Sequence, residues 1–291
     1  MIFSGSAVAL VTPFDKNNEI DYFELKNLIE FQIANETKAI VILGTTGEAS
    51  TITNEERNKI IKFAACVIDK RVPLIVGSGT NSTTTAIQYS KQAEELGADA
   101  LLVVTPYYNK CNQTGLFFHY KAIAESVNIP IIIYNVPART GVNVSPETVC
   151  KLSKITNIIG IKEASGNLLQ IEKTINLVDD NFFVYSGDDG LTLPIIAMGG
   201  KGVISVTANI YPNEVYNLCE YALSNDYYNA RKIASYLSKI NKVLFLDVNP
   251  ICVKYYLNQM GFKVGKPRLP LTEPSQDIKK QIKEVIKIYE N

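Results

Sequence analysis

IPIIIYNVPART, residues 129–140, and NIIGIKEASG, residues 157–166, are two apolar runs of β-strand character, each ending in polar groups, and the second carries Lys162. Between them SPETVCKLSKI, residues 145–155, has the chemistry of a helix start, with Ser145 at the N-cap, Pro146 first inside and Glu147 in the first turn. Strand, helix, strand reads as a βαβ unit, whose strands are parallel neighbours ending at one face of the sheet. Tyr134 and Lys162 then stand side by side. A lysine closing a run of isoleucines loses part of the hydration that favours its ammonium form, which frees the amine to attack a carbonyl. Tyr134 supplies a hydroxyl for the proton transfers that such Schiff-base chemistry needs.

The same alternation extends to both sides. Residues 6–14, 39–44, 73–79 and 98–109 read as strands one to four, with helices at 21–35, 53–68, 81–97 and 114–127. Thr53 and Glu56 have capping-box spacing, and Gly97 is a helix stop. After the central pair come a helix at 168–178, a seventh strand at 182–189, a short helix at 191–198 and an eighth strand at 202–209. Eight strand–helix repeats at about 25-residue spacing favour an α/β fold closed as a (β/α)8 TIM barrel over an open doubly wound sheet. Apolar spacing makes residues 212–223, 228–246, 250–260 and 276–289 helical. The expected division is a barrel carrying the active site over residues 1–224 and a C-terminal helical extension over 225–291, packed on the barrel because no low-complexity linker separates them.

Composition narrows the partners. The 291 residues are 46% hydrophobic, enough for a large core, and 29 Lys and Arg balance 29 Asp and Glu. With no basic run, neither nucleic acid nor an anionic membrane is an expected partner, and a small molecule is. The N-terminal stretch lacks a basic region and meets Pro13 too early for a signal peptide, and no apolar stretch reaches the roughly 18 residues of a membrane span. Five scattered cysteines without a C-x-x-C pair suggest reduced thiols and a cytoplasmic protein.

In a barrel the reactive groups gather at the C-terminal ends of the strands. Those ends carry Thr45, Thr46 and Glu48, then Tyr107, Tyr108 and Asn109, then Tyr134, Asn135 and Arg139, then Lys162 and Glu163, then Gly187, Asp188 and Asp189. Each has a plainer reading beside the functional one. Lys162 could pair with Glu163 or another acid of the barrel mouth as a structural lysine, the tyrosines could be packing residues, and Arg139 could be a surface cation. Against these, one amine among hydroxyls can make and hydrolyse an imine, and a guanidinium in the stiff turn after Pro137 can hold a carboxylate. The GTTGE loop, residues 44–48, offers amides to an anion but lacks the lysine of a P-loop. MGGKG, residues 198–202, precedes strand eight and belongs to the opposite face. His119 on a predicted helix reads as a packed or solvated residue. Asp188 and Asp189 read as loop caps, and no catalytic metal is expected.

Together GTTGE, TPYYN, YNVPART, GIKEASG, GVISVTAN and NPICVK (residues 249–254) resemble the dihydrodipicolinate synthase family, also called 4-hydroxy-tetrahydrodipicolinate synthase, of the pyruvate-dependent class I aldolase-like barrels. The likeness runs through essentially the whole chain. A lysine on strand six and a Y-x-x-P turn are shared with N-acetylneuraminate lyase and 2-keto-3-deoxygluconate aldolase; the paired threonines of GTTGE and the arginine of YNVPART discriminate.

The resemblance implies that Lys162 forms a Schiff base with pyruvate, yields an enamine and attacks L-aspartate-4-semialdehyde, with no other cofactor. By motif position Tyr134, Thr45 and Tyr108 match a proton-relay triad, with Tyr108 reaching in from a neighbouring subunit. Thr45 and Thr46 match pyruvate-carboxylate positions, Arg139 a carboxylate site for the semialdehyde, and Gly187 and Ile204 backbone positions lining the site. A shared tyrosine implies a homo-oligomer, a dimer or, more usual in the family, a tetramer. One departure concerns feedback by lysine. Positions that bind it in inhibited members read Ala49, Asn54, Arg57 and Thr85 here, although Asn81 and Tyr107 match. Thr85 and a cationic Arg57 remove attraction for an ammonium group and add like charge, so feedback is expected to be weak or absent. Two rivals are a pyruvate lyase acting on a sugar acid and a non-catalytic barrel binding carboxylates; a metal-dependent aldolase is a third, which a chelator would inhibit.

Overall fold

Strand β1 (Gly5–Ala9) pairs with β2 (Ala39–Ile42), and the pairing continues through β3 (Leu74–Gly77), β4 (Ala100–Val104), β5 (Ile131–Asn135), β6 (Ile158–Glu163) and β7 (Phe183–Ser186) to β8 (Gly202–Ser205). β8 pairs in turn with β1, all in parallel, so the sheet is a closed eight-stranded barrel. This is a computed structural model that describes residues 2–289. Helices α1 (Tyr22–Ala34), α2 (Asn54–Ile68), α3 (Thr83–Glu95) and α4 (Gln113–Ala124) follow the first four strands. The β5–β6 connection holds a single turn, α5 (Pro137–Thr140), and then α6 (Pro146–Leu152). Helices α7 (Leu168–Leu177), α8 (Thr192–Ala197) and α9 (Pro212–Leu223) complete the ring. Three more follow, α10 (Tyr227–Leu244), α11 (Ile251–Gln259) and α12 (Gln276–Tyr289).

Strand periodicity of two splits the apolar residues into two cores. Ala7, Ala9, Ala39, Val41, Ile75, Ala100, Leu102, Ile132, Tyr134, Phe183, Tyr185 and Ile204 fill the barrel, small residues facing aromatic ones. Val8, Ile40, Val76, Leu101, Ile133, Ile161, Val184 and Val203 face outward against the helices. Local signals start the helices where the sequence places them. Thr53 and Glu56 form both bonds of a capping box on α2, and Ser145 accepts from the Thr148 amide at the start of α6. Gly97, at φ +101°, ends the α3 region in a conformation that glycine adopts without penalty.

The strands are shorter than their apolar runs. β1 stops at Ala9, where residues through Phe14 were expected to continue it, and β7 stops at Ser186 rather than 189. β8 stops at Ser205 and passes into a 3-10 turn, Thr207–Asn209, in place of the expected strand end. The cause is common to all three: the chain leaves the ladder at the barrel mouth and its polar groups take up turn bonds. Asp189 accepts from Ser205 Oγ and from the Val206 and Thr207 amides, and Asn209 Oδ1 accepts from the Val11 amide at 3.1 Å.

The last helices pack on the ring, α10 against α9 and α12 against both α10 and α11. Their connecting segment is tied to the barrel by charge. Arg268 donates from Nη1 at 2.9 Å and Nη2 at 2.5 Å to the two oxygens of Glu56, while Glu56 Oε2 also accepts from the Thr53 amide. These bonds hold the Glu56 carboxyl at about 2, with the Arg268 hydrogen bond first among the causes. A folded value below the unfolded one means that Glu56 stabilises the protein fully above about 4.5 and that this contribution is lost as pH falls toward 2. Glu56→Gln is therefore expected to flatten the acid limb of the stability curve in that window, by roughly 1–2 kcal/mol because the pair is partly solvated. Urea unfolding at a series of pH values checks it; parallel curves for the two proteins would refute the assignment.

Candidate active site

The register of β5 and β6 aligns Ile133 with Ile161, Tyr134 with Lys162 and Asn135 with Glu163. Tyr134 and Lys162 both point into the barrel, and Lys162 Nζ lies 4.6 Å from the centre of the Tyr134 ring. Lys162 is 4% exposed. Among the described residues no carboxylate lies within 4.0 Å of that amine. Glu163, one residue on, faces the other way, as alternation requires. Its oxygens accept from Asn135 Nδ2 at 2.9 and 3.1 Å and from the Ser165 amide at 2.8 Å. Burial pushes the Glu163 carboxyl up against these bonds. The structural Lys162–Glu163 pair is thus excluded by strand geometry. Gly187 makes room on the third side: a Cβ there would sit 3.0 Å from Lys162 Cε and 2.8 Å from Ala164 Cβ. Ile204, buried on β8, lies in the same barrel interior as Tyr134.

A cavity of about 410 Å³ opens at this mouth, with Thr45, Tyr134, Arg139 and Tyr107 among its walls. Lys162 lies against the Tyr134 ring rather than in the cavity wall. Thr46 is held from the C-terminal segment, its Oγ1 accepting from Asn249 Nδ2 at 2.9 Å. The Asn249 carbonyl accepts from Arg139 Nη2 at 3.2 Å, so one residue of the extension steadies two groups of the mouth. Tyr108 stands apart. It has φ +68°, is 91% exposed and is not brought to the cavity of its own chain.

Glu48 does not face the mouth, although the sequence places it on the rim. Its loop turns through φ +55° at this residue and buries the carboxylate, which accepts from Lys254 Nζ at 2.8 Å and the Arg268 amide at 2.8 Å. Lys254 is itself fully buried, donating also to the carbonyls of Thr12 at 3.0 Å and Lys266 at 3.1 Å. Burial pulls this ammonium down to about 8 even with Glu48 beside it. Reading the sequence along its length missed this pair and Asn249. The only signal was the NPICVK motif, which contains both Asn249 and Lys254.

The family model for the dihydrodipicolinate synthetase family matches residues 2–289. The chain belongs to that family. It is 47% identical over 286 residues to the 4-hydroxy-tetrahydrodipicolinate synthase of Alkaliphilus oremlandii, covering 98% of each chain. With the enzyme of the same name from Clostridium perfringens it shares 49% over 273 residues, 94% of this chain and 93% of the relative. The crystal structure of dihydrodipicolinate synthase from Aquifex aeolicus superposes with a TM-score of 0.97 at 47% identity, over 99% of this chain and 98% of that one.

Three other groups in this dihydrodipicolinate synthetase chain have structural duties. His119 packs on α4 with Nδ1 2.9 Å from Thr83 Oγ1, and burial lowers the imidazole to about 4, so it is neutral at physiological pH. Asp188 accepts from the Gly190 amide at 2.9 Å, and Asp189 caps the turn after β8, the loop-capping duty expected of both. Of the positions matched to feedback by lysine, Ala49, Arg57, Asn81, Thr85 and Tyr107 line the cavity and Asn54 does not.

Proposed function

We propose that the chain is a 4-hydroxy-tetrahydrodipicolinate synthase, a Schiff-base-forming lyase that condenses pyruvate with L-aspartate-4-semialdehyde on the route to diaminopimelate and lysine. The observation that carries this reading is the Lys162 amine, buried in the barrel, free of a carboxylate partner among the described residues and set against Tyr134. Its curated relatives carry that enzyme name.

Lys162 Nζ adds to the ketone carbon of pyruvate, and loss of water leaves an imine. Removal of a methyl proton gives the enamine, whose carbon bonds to the aldehyde carbon while the aldehyde oxygen takes a proton. The substrate amine then adds to the imine carbon, the bond to Lys162 breaks, and the ring closes. Tyr134, Thr45 and Tyr108 pass the protons of these steps, and each such transfer contributes about 10²–10⁴-fold. Thr45 and Thr46 hold the pyruvate carboxylate, Arg139 that of the semialdehyde, and the backbones of Gly187 and Ile204 line the site. No cofactor beyond the covalent imine enters the scheme.

Tyr108 belongs to the site of a neighbouring copy in this reading. An aromatic residue held at positive φ costs of order 1 kcal/mol, and one 91% exposed gains nothing in its own chain that offsets it. A homo-oligomer, a tetramer by family resemblance, supplies the missing surroundings. Residues 1–224 carry the site and 225–291 brace it through Asn249, Lys254 and Arg268. The setting proposed is the cytoplasm, and among the described residues no helix is long and apolar enough to cross a membrane.

The test is a steady-state assay with pyruvate and L-aspartate-4-semialdehyde. Turnover to the cyclised product is expected, with negligible cleavage of N-acetylneuraminate or 2-keto-3-deoxygluconate; cleavage of either at a comparable rate would overturn the substrate assignment. In the same assay L-lysine is expected to inhibit weakly or not at all, because Arg57 and Thr85 repel or ignore an ammonium group. Inhibition at sub-millimolar lysine would refute that expectation.

A further inference from the structure

Tyr134 and Lys162 face each other because the β5–β6 ladder slips by one residue near its start. Ile131 pairs with Ile158 and Ile132 with Gly160, so Ile159 is an extra residue on β6, a bulge that is uncommon between parallel strands. Carried on without the slip, the first pairing would set Tyr134 against Ile161 and Asn135 against Lys162. Neighbours across a sheet share a face, and a shift of one residue exchanges the faces. In that unslipped register Lys162 would point out at the helices and Glu163 into the barrel. The position of the amine therefore depends on what holds the slipped register at the far end of the strands.

That end is closed by the last aligned pair, Asn135 and Glu163. Both side chains are buried on the outward side of the strands, and Asn135 Nδ2 lies 2.9 Å and 3.1 Å from the two Glu163 oxygens. The other partners fit the same alignment. Asn135 Oδ1 accepts from the Val144 amide at 3.1 Å, and Glu163 accepts from the Ser165 amide at 2.8 Å and from Gln170 Nε2 at 3.4 Å. The main chain adds two bonds: the Ala164 amide donates to the Asn135 carbonyl at 2.8 Å, and the Gly187 amide to the Glu163 carbonyl at 2.8 Å. Among the described residues no cation lies within 4.0 Å of the Glu163 carboxylate, so hydrogen bonds rather than an ion pair offset its burial. A carboxylate only accepts, and a shift in pairing would part it from the Asn135 donor and leave it bare in an apolar layer, at high cost.

We propose that Asn135 and Glu163 are positioning residues for the imine chemistry: joined on the outer side of β5 and β6, they lock the slipped register that turns Lys162 inward against Tyr134. Neither touches a reacting atom. Each stands one residue beyond the group it positions, Asn135 after Tyr134 and Glu163 after Lys162, and period two sends the pair to the opposite face. A small change in the spacing of amine and hydroxyl slows imine formation and proton transfer with little effect on how the substrates are held. The effect on turnover rests on the condensation reading, whereas the placement of the amine does not.

The test compares Asn135→Asp, Glu163→Gln and the double variant with the parent enzyme. Asn135→Asp sets one carboxylate against another, and Glu163→Gln turns an amide donor toward Asn135 Nδ2 or the Ser165 amide. In the double variant the glutamine amide donates to the new carboxylate while its oxygen accepts from the Ser165 amide, so donors and acceptors match again. Kinetics are measured at a temperature where calorimetry shows each variant folded, and trapping of Lys162 by pyruvate and borohydride is followed by mass spectrometry. Each single variant is expected to lower kcat and the trapping rate by about tenfold or more, because reacting groups set slightly out of place react slowly. KM for either substrate is expected to stay within about threefold of the parent, and the double variant to recover most of the loss. Folded single variants with the parent's kcat and trapping rate, whatever their melting temperatures, or a double variant no faster than the slower single, would overturn the assignment. If Asn135→Asp does not fold, Glu163→Gln and the double variant decide. A parent that traps pyruvate yet releases no cyclised product counts against the condensation reading only, and the trapping rates then decide the lock. A parent that never traps pyruvate would overturn both.

Discussion

Lys162→Ala is expected to lower kcat/KM by about 10⁴-fold or more while leaving the protein at least as stable as before. In the proposed mechanism, loss of the amine removes the atom that forms the imine, and the remaining hydroxyls of Tyr134 and Thr45 have no covalent intermediate to serve. The stability half of the expectation separates chemistry from folding. Lys162 is 4% exposed and, among the described residues, makes no ion pair, so its removal leaves no carboxylate unpaired. The space it vacates is bounded by Gly187 and the Tyr134 ring. Steady-state kinetics and differential scanning calorimetry on the same preparation check both halves. Activity within tenfold of the parent would remove Lys162 from the mechanism, and a large drop in melting temperature would reassign it to the scaffold.

Lys254→Met is expected to do the reverse, removing stability first and activity through it. The Lys254 and Glu48 side chains are 0% and 1% exposed, and Lys254 Nζ bridges Glu48 to the carbonyls of Thr12 and Lys266. Taking the cation away leaves a buried carboxylate with the Arg268 amide as its remaining described donor, which costs roughly 3–5 kcal/mol. For a chain of this size that lowers the melting temperature by on the order of 10 °C. The Glu48→Gln, Lys254→Met double variant is expected to recover much of the loss, since the two effects are coupled through one contact. Glu48 sits three residues after Thr45 in the loop that bears the groups proposed to hold the pyruvate carboxylate, so KM for pyruvate is expected to rise in the single variant. A melting temperature within about 2 °C of the parent would show that the pair adds little.

Where the controlling physics is local or periodic, the sequence was a sufficient guide. The Ser145 cap and Pro146 fixed the helix between two apolar runs, and parallel pairing then placed Tyr134 beside Lys162, as the register has it. Period two also separates Lys162 from Glu163, although that step requires knowing which face of β6 is inward. What stayed hidden depends on residues far apart in the chain. Glu48 meets Lys254 across 206 positions and Thr46 meets Asn249 across 203, and no local pattern announces either. The capping box on α2 was legible, but not that Arg57 lines the cavity, because the roll of that helix is set by packing against α1, β3 and α3. Strand ends were overextended for a related reason: apolar residues continue past the ladder to pack at the mouth, as Leu10, Val11 and Phe14 do after β1.

The most direct measurement is borohydride trapping. The protein is incubated with pyruvate, reduced, digested, and the modified peptide located by mass spectrometry. A single reduced pyruvate adduct is expected on Lys162, and none when Lys162→Ala is treated alike. A folded protein that yields no adduct, or one carried by another lysine such as Lys254, would contradict it.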